Sequence, residues 1–497
     1  MEELKKNKYY KLCLWGFIVA VTLHILYAAY LMRGMFFDGS FFMIQMLDNF
    51  SSNKFAIVGD VHHPHYLTWT LTQLPVIFAN FVLSIHNKYA LMMIFTFSQL
   101  VLPLIFLFWQ YKLCMRTKRI DLYFWSLFFY CVLSLPFNLY SSVEYPTISI
   151  LILIIINYII SDIDYTKTDI FFLFLLSLSM SVSTELFIFV GPIMFFTCLY
   201  SSYKENNSRK MFIKLGAGFC LLLSTLFIFA FMMSTQKETY AAFTFVEGGF
   251  DFLSHMLNFC AVFSVFAVLL LLIFLVKKSP IASNEIGIIT LFYVIIFFIL
   301  LTGPEASIDV VSEGQFRTLM FFSVPLIAIG CQTFDILNGN RIVTKFHNYI
   351  CIILICGIFH CCWQMVDSYY WGKNVKYMNE ELWAENVPLY VASEHKTISD
   401  FYNPQLRRFI WHFSYTPMSI LFSPTYVQKT LLIGYEEDWE PENHSLSKYL
   451  YIVPDDRDLM SIPVGATIHI KNQYWDLTDV AVAVDYYNKS HGFIIEF

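Results

Sequence analysis

Most charged residues in this chain stand in clusters, and the few that stand alone are the ones with chemical potential. The first is Asp38, followed by Gly39 and Ser40 and then by apolar residues at 41, 42, 44, 46 and 47. That spacing predicts a short amphipathic helix lying on an interface, with Asp38 in an N-cap-like position. A carboxylate there either caps the helix or, held at the mouth of a membrane-embedded cavity, acts as a general base. The same loop ends in Gly59-Asp60-Val61-His62-His63-Pro64-His65-Tyr66-Leu67. Asp60 with His62, His63 and His65 suits a metal, an anionic head group or a plain polar loop end. Adjacent His62 and His63 point apart in any regular structure, so all three imidazoles do not serve one ion.

Three further places carry isolated polar groups. Glu144 sits in Ser141-Ser142-Val143-Glu144-Tyr145-Pro146, and Glu185 interrupts the apolar run 170–200. A charge at mid-membrane is costly, so 170–200 is expected to be two short helices meeting at the outer face. Glu313 precedes Arg317 by four residues, ahead of a run containing Pro325. That spacing allows a local ion pair; alternatively the planar guanidinium contacts a phosphate. The 11 cysteines all lie between Cys13 and Cys362 without CxxC spacing, which makes them packing residues.

The elements that must position these groups follow from composition. Of 497 residues, 57% are hydrophobic and only 14% charged, with a mean hydropathy of +0.57. Soluble chains run at ~25% charged, so a soluble enzyme is excluded, as is disorder. A net charge of -6 without a basic block gives nucleic acid nothing to bind. Apolar runs lie near 12–32, 68–86, 90–113, 122–140, 146–160, 170–200, 212–233, 257–276, 286–302, 318–333 and 348–365. The expected fold is a polytopic α-helical membrane protein of about 11–12 membrane helices. Residues 1–365 form the membrane module, with a first outer loop over about 33–67, and 366–497 form a small α/β or β-rich extracytoplasmic domain. Its strands are expected at 430–435, 449–453, 467–471, 480–484 and 493–497.

Lys and Arg cluster before 12, at 112–119, at 204–214, at 277–278 and at 341–345. The positive-inside rule places these loops and the N-terminus in the cytoplasm, and the tail after 365 outside. One conflict remains: two apolar runs, 68–86 and 90–113, occupy a stretch with room for one net crossing. The run 68–86 contains Thr68, Thr70, Thr72, Gln73, Pro75 and Asn80, so it is taken as re-entrant or interfacial.

In order, Phe37-Asp38-Gly39, then His62-His63-Pro64-His65-Tyr66-Leu67-Thr68-Trp69, then Phe316-Arg317 with Pro325 downstream resemble the GT-C fold of membrane glycosyltransferases. Aminoarabinose transferases and protein O-mannosyltransferases are familiar members. The outer tail also resembles phage-type serotype-converting glucosyltransferases that modify O-antigen. The resemblance covers about residues 1–340. Those enzymes usually carry Asp-Glu at the first site and Lys-Pro-Pro-Leu at the second, so Asp38-Gly39 and His63-Pro64-His65 imply a divergent branch.

The resemblance implies an inverting transfer of sugar from a polyprenyl-phosphate donor to a glycan or lipid-linked acceptor, such as O-antigen. This would take place on the periplasmic face of a bacterial inner membrane. Asp38 would be the base, and Arg317 with His62, His63 and His65 would hold the lipid phosphate. Asp60, Glu144, Glu185 and Glu313 would be further cavity residues. No nucleotide-binding signature is present, and the class requires no cofactor; a divalent cation is optional in it. The rival class, a multi-pass transporter or flippase of lipid-linked saccharide, predicts midplane charges and an internal repeat, and neither is seen in the sequence.

Overall fold

The computed structural model describes residues 4, 6–36, 38–59, 64–135, 144–184, 187–234 and 340–384, and short pieces between 389 and 494. The apolar runs expected at 257–276, 286–302 and 318–333 lie outside the described residues. The others become helices: α1 (Lys8–Tyr30), α2 (Asp38–Ser51), α3 (Tyr66–Phe81), α4 (Lys88–Thr117), α5 (Ile120–Phe128), α6 (Glu144–Ile160), α7 (Lys167–Ser179), α8 (Phe187–Tyr203), α9 (Ser208–Ser234) and α10 (Asn340–Ala384). Four of these, α1, α4, α9 and the Ile350–Lys373 part of α10, are long and apolar enough to cross a bilayer. Large apolar side chains stay exposed on them and on α7: Trp15, Phe108, Phe171 and Phe359 are 60–66% exposed. A lipid environment stabilises such a surface and water does not.

Local chemistry sets several helix starts. Asn7 accepts hydrogen bonds from the Tyr9 and Tyr10 amides at the start of α1, and Asn87 accepts one from Ala90 N at the start of α4. Thr166 and Asp169 form a reciprocal capping box on α7. The run 170–200 is indeed two helices, α7 with a 3-10 turn to Val182 and then α8. In α6 every residue from Ile148 to Ile159 is buried. Its sequence is apolar on all sides, as a helix enclosed by others must be.

Side-chain contacts fix the helix directions. Gly357 of α10 packs on Phe17 of α1, and Gly372 packs on Leu31, so these helices run parallel although about 340 positions separate them. Gly34, just past α1, meets Thr96 and Gln99 of α4, whereas Tyr123 touches both Tyr10 and Tyr111; α4 is therefore antiparallel to α1. Phe174 on Gly216 and the Ser224 hydroxyl on Ser177 O make α7 and α9 parallel, while Gly191–Thr225 and Gly218–Cys198 contacts make α8 and α9 antiparallel.

The loops at 112–119, 160–169 and 203–208 thus gather at one end of the bundle. Ion pairs tie them there: Arg116–Asp169 at 2.7 Å, Lys210 with Asp162 at 2.7 Å and Asp164 at 3.0 Å, and Lys214–Glu205 at 3.0 Å. Toward the same end, interior polar groups satisfy one another, with Asn157 Nδ2 donating to Gln110 Oε1 at 3.2 Å and Thr117 Oγ1 to Asn157 Oδ1 at 3.2 Å.

Two expectations need correction. α10 does not stop at 365 but continues to Ala384. Past 365 its sequence alternates buried Trp371 and Val375 with Lys373 and Lys376, so an amphipathic helix follows where an apolar one ends. Beyond it, β1 (Leu389–Ser393) pairs parallel with β2 (Leu431–Tyr435) and antiparallel with β5 (Phe493–Ile494), and β3 (Thr467–Lys471) pairs antiparallel with β4 (Asp476–Ala481). The strand expected at 480–484 starts four residues earlier, because the short connection after Lys471 sets the hairpin register. β1 was not anticipated from its five-residue run, and 449–453 lies outside the described residues.

Candidate functional site

The chain between α1 and α4 builds the end of the bundle opposite the basic loops. Met32 takes a positive φ of 52° and starts a 3-10 turn, Arg33–Met35. The Gly34 N–H donates to Thr96 Oγ1 at 3.2 Å. On its other side, the Gly34 carbonyl oxygen occupies the space a Cβ on Gly39 would need. Two glycines thus allow the 3-10 turn, α4 and the start of α2 to lie in contact, and that start is Asp38. Asp38 is the first helical residue rather than a cap outside the helix.

The helix α2 differs from the interfacial element expected. Phe42, Met43, Ile44, Met46, Leu47 and Phe50 are all buried. At ~100° per residue they cover more than half of the circumference, so the helix is enclosed. It runs beside α3 in the same direction, with Phe42 on Trp69 near both starts and Phe50 on Phe81 near both ends, each pair at 5.5 Å. The helix starts therefore stand side by side, with Asp38 the first residue of α2 and His65 just ahead of α3.

His65 directly precedes α3, is 6% exposed, and sets its ring 5.6 Å from Trp69. Residues 54–59 are extended over α3. Gln73 clasps them at Val58, donating to its carbonyl at 2.6 Å and accepting from its amide at 2.8 Å. Gly59 lies directly on the Trp69 indole, where a Cβ would collide. This clasp anchors both sides of the Asp60–His63 segment. Asp60, His62 and His63 themselves lie outside the described residues, as do Glu185, Glu313 and Arg317. Glu144 is the first residue of α6.

α3 ends at Phe81, and its 16 residues fall short of a full span. Since α4 is antiparallel to α1, the chain leaves and rejoins the bundle at one end, which agrees with the re-entrant reading of 68–86. C-terminal pieces reach this end too. Tyr89 donates to Phe422 O at 3.4 Å, and Tyr474 donates to Asn80 Oδ1 at 3.4 Å. Burial pushes the Tyr474 phenol up to about 12, so it remains a neutral donor.

Arg33, a single charge in the sequence between two apolar runs, is wholly buried. Its guanidinium lies 5.2 Å from the Phe36 ring and 5.0 Å from the Trp371 ring of α10. Trp371 is held in turn by its N–H on Leu31 O at 3.2 Å and by Phe422 at 6.3 Å. The signal for Arg33 was present: it is a lone cation at the end that lacks cation clusters, the same logic that singled out Arg317. Trp371 had no signal, because its partner is hundreds of residues away.

No family model, curated protein or solved structure matches this chain.

Two adjacent helix starts bring partial positive charge to this end of the bundle, and buried Arg33 lies in the 3-10 turn that packs on the start of α2. Such an arrangement stabilises an anion. Asp38 is the first residue of α2 at this start.

Proposed function

We propose that this chain is an inverting membrane glycosyltransferase of the GT-C type, working from a polyprenyl-phosphate-linked sugar. The observation that supports the reading is the side-by-side start of α2 and α3, with Asp38 heading one helix, His65 just ahead of the other and buried Arg33 in the adjoining turn. The acceptor hydroxyl oxygen attacks the anomeric carbon while its proton passes to the Asp38 carboxylate. The bond from that carbon to the phosphate oxygen breaks, and the lipid phosphate leaves with the electron pair. Inversion follows from in-line attack. His65 and Arg33 favour the departing charge from the protein side, with His62, His63 and Arg317 as further phosphate contacts.

The reading also sets an orientation. The basic loops face the cytoplasm, and the site and the tail after α10 face the periplasm of a bacterial inner membrane. The parallel course of α1 and α10 supports this, since an N-terminus inside then puts the end of α10 outside. The acceptor is a cell-surface glycan or a lipid-linked glycan.

The test is reconstitution with a set of polyprenyl-phosphate sugars and lipid-linked acceptors. Wild type is expected to transfer, and Asp38→Asn to lose about 100-fold or more of the rate. Full activity in Asp38→Asn would remove Asp38 as the base. Movement of the intact donor across the bilayer without transfer would replace the enzyme by a flippase.

A further inference from the structure

The seam between α1 and α10 contains a buried polar side chain, His24, that neither packing nor the proposed transfer step uses. On α1, Phe17 meets Gly357 at one end of the seam and Leu31 meets Trp371 and Gly372 at the other. His24 lies midway on the same heptad face. By that register it stands level with Gln364 and Ser368 of α10. All three are 0% exposed, and Asp367 beside them is 1% exposed.

His24 stands out in this group. Among the described residues neither of its ring nitrogens has a hydrogen-bond partner, whereas the buried Gln110 and Asn157 side chains answer each other. Burying two unmet polar atoms is unfavourable, and Phe17 and Leu31 show that apolar residues fill the same face. A packing role alone would favour Leu or Phe at position 24.

In its uncharged form an imidazole offers one N–H and one lone pair. A hydroxyl group answers both at once, being donor and acceptor. A phosphate answers only the donor, and Arg33 is the better partner for it. Gln364 has the same mixed donor and acceptor character, Ser368 keeps acceptor character because its hydroxyl donates to Gln364 O at 2.8 Å, and the Trp371 indole with Arg33 and Phe36 closes the seam toward the α2 start.

We infer that the α1–α10 seam at His24, Gln364 and Ser368 is a subsite for a polyhydroxylated ligand, the sugar ring of the donor. The inference rests on the transferase reading for the identity of that ligand, and it names the residues that read the sugar rather than the phosphate.

The experiment uses full-length protein in lipid nanodiscs and probes that differ only in the sugar. Short-chain prenyl phosphates bearing glucose, galactose or arabinose are titrated against the same prenyl phosphate without sugar. Wild type is expected to prefer at least one sugar-bearing probe about tenfold, the size of one or two neutral hydrogen bonds. His24→Phe, which fills the seam, is expected to bind all probes like the bare lipid. His24→Gln, which keeps a donor and an acceptor, should retain most of the preference. Gln364→Leu tests the facing helix and carries the test should His24→Phe fail to fold. A preserved sugar preference in folded His24→Phe overturns the subsite, and so does a wild type with no preference for any sugar. Asp38→Asn is expected to keep the preference while losing transfer. Sugar preference in a wild type that performs no transfer would sink the enzyme reading and leave the subsite standing.

Discussion

Replacing Gly39 by Ala sets two effects of opposite sign against each other. Gly39 is the second residue of α2, where helix propensity favours Ala by up to about 1 kcal/mol. The added Cβ, however, falls on the backbone carbonyl oxygen of Gly34. A carbonyl cannot rotate away as a side chain can, and Gly34 is pinned from behind. Its N–H is bonded to Thr96 Oγ1 at 3.2 Å, and its Cα faces Thr96 and Gln99 with no space even for a methyl group. What moves is therefore the start of α2, which carries Asp38. Overpacking of this kind costs about 1–3 kcal/mol, so the steric effect outweighs propensity and leaves a net loss of about 1–2 kcal/mol. Unfolding by SDS titration in mixed micelles reads this directly. A displacement of Asp38 by ~1 Å lowers transfer about 100-fold, far beyond what the stability change produces in protein that is still folded. A Gly39→Ala protein as stable as wild type and equally fast would refute the claim that the Gly34–Gly39 contact sets the position of Asp38.

Two other predictions address the frame around the site. In a cysteine-free background, Ser84→Cys in the turn after α3 is expected to react with a membrane-impermeant maleimide from outside intact cells, and Lys118→Cys only after lysis; both positions are exposed. Reaction of Ser84→Cys only after lysis would break the re-entrant assignment of α3. At the basic end, burial alone would raise the Asp169 carboxyl, but hydrogen bonds from Arg116 and Thr166 hold it below its ordinary 3.8. A carboxyl lowered by folding stabilises above that ordinary value, and the contribution fades as pH falls through the folded value. Asp169→Asn should thus flatten the loss of stability below about pH 4, and superimposable acid-denaturation curves for the two proteins would remove the pair from the account.

Most of the helical frame was legible in the sequence. The apolar runs at 90–113, 146–160 and 212–233 became α4, α6 and α9 with ends shifted by a few residues, because twenty apolar side chains in a row have one solvent that suits them. The charge of Glu185 correctly split 170–200. The caps at Asn7, Asn87 and Thr166 emerged with the structure, although each capping bond is made within three residues. The site was legible only in part: Asp38 and the His–Pro segment could be named as candidates from type and spacing, but not their meeting.

Sequence by itself therefore determined which segments avoid water and which loops gather the cations. These are local properties, settled by a residue and its near neighbours. Tertiary structure alone decided that α2 is enclosed rather than interfacial, that α2 and α3 run side by side, and that α10 lies parallel to α1 with Trp371 on Arg33. Each of these depends on which faces meet across tens to hundreds of residues. Small residues such as Gly34, Gly39 and Gly357 make the meetings close, and a glycine in a sequence does not say which backbone or side chain will come to fill its space.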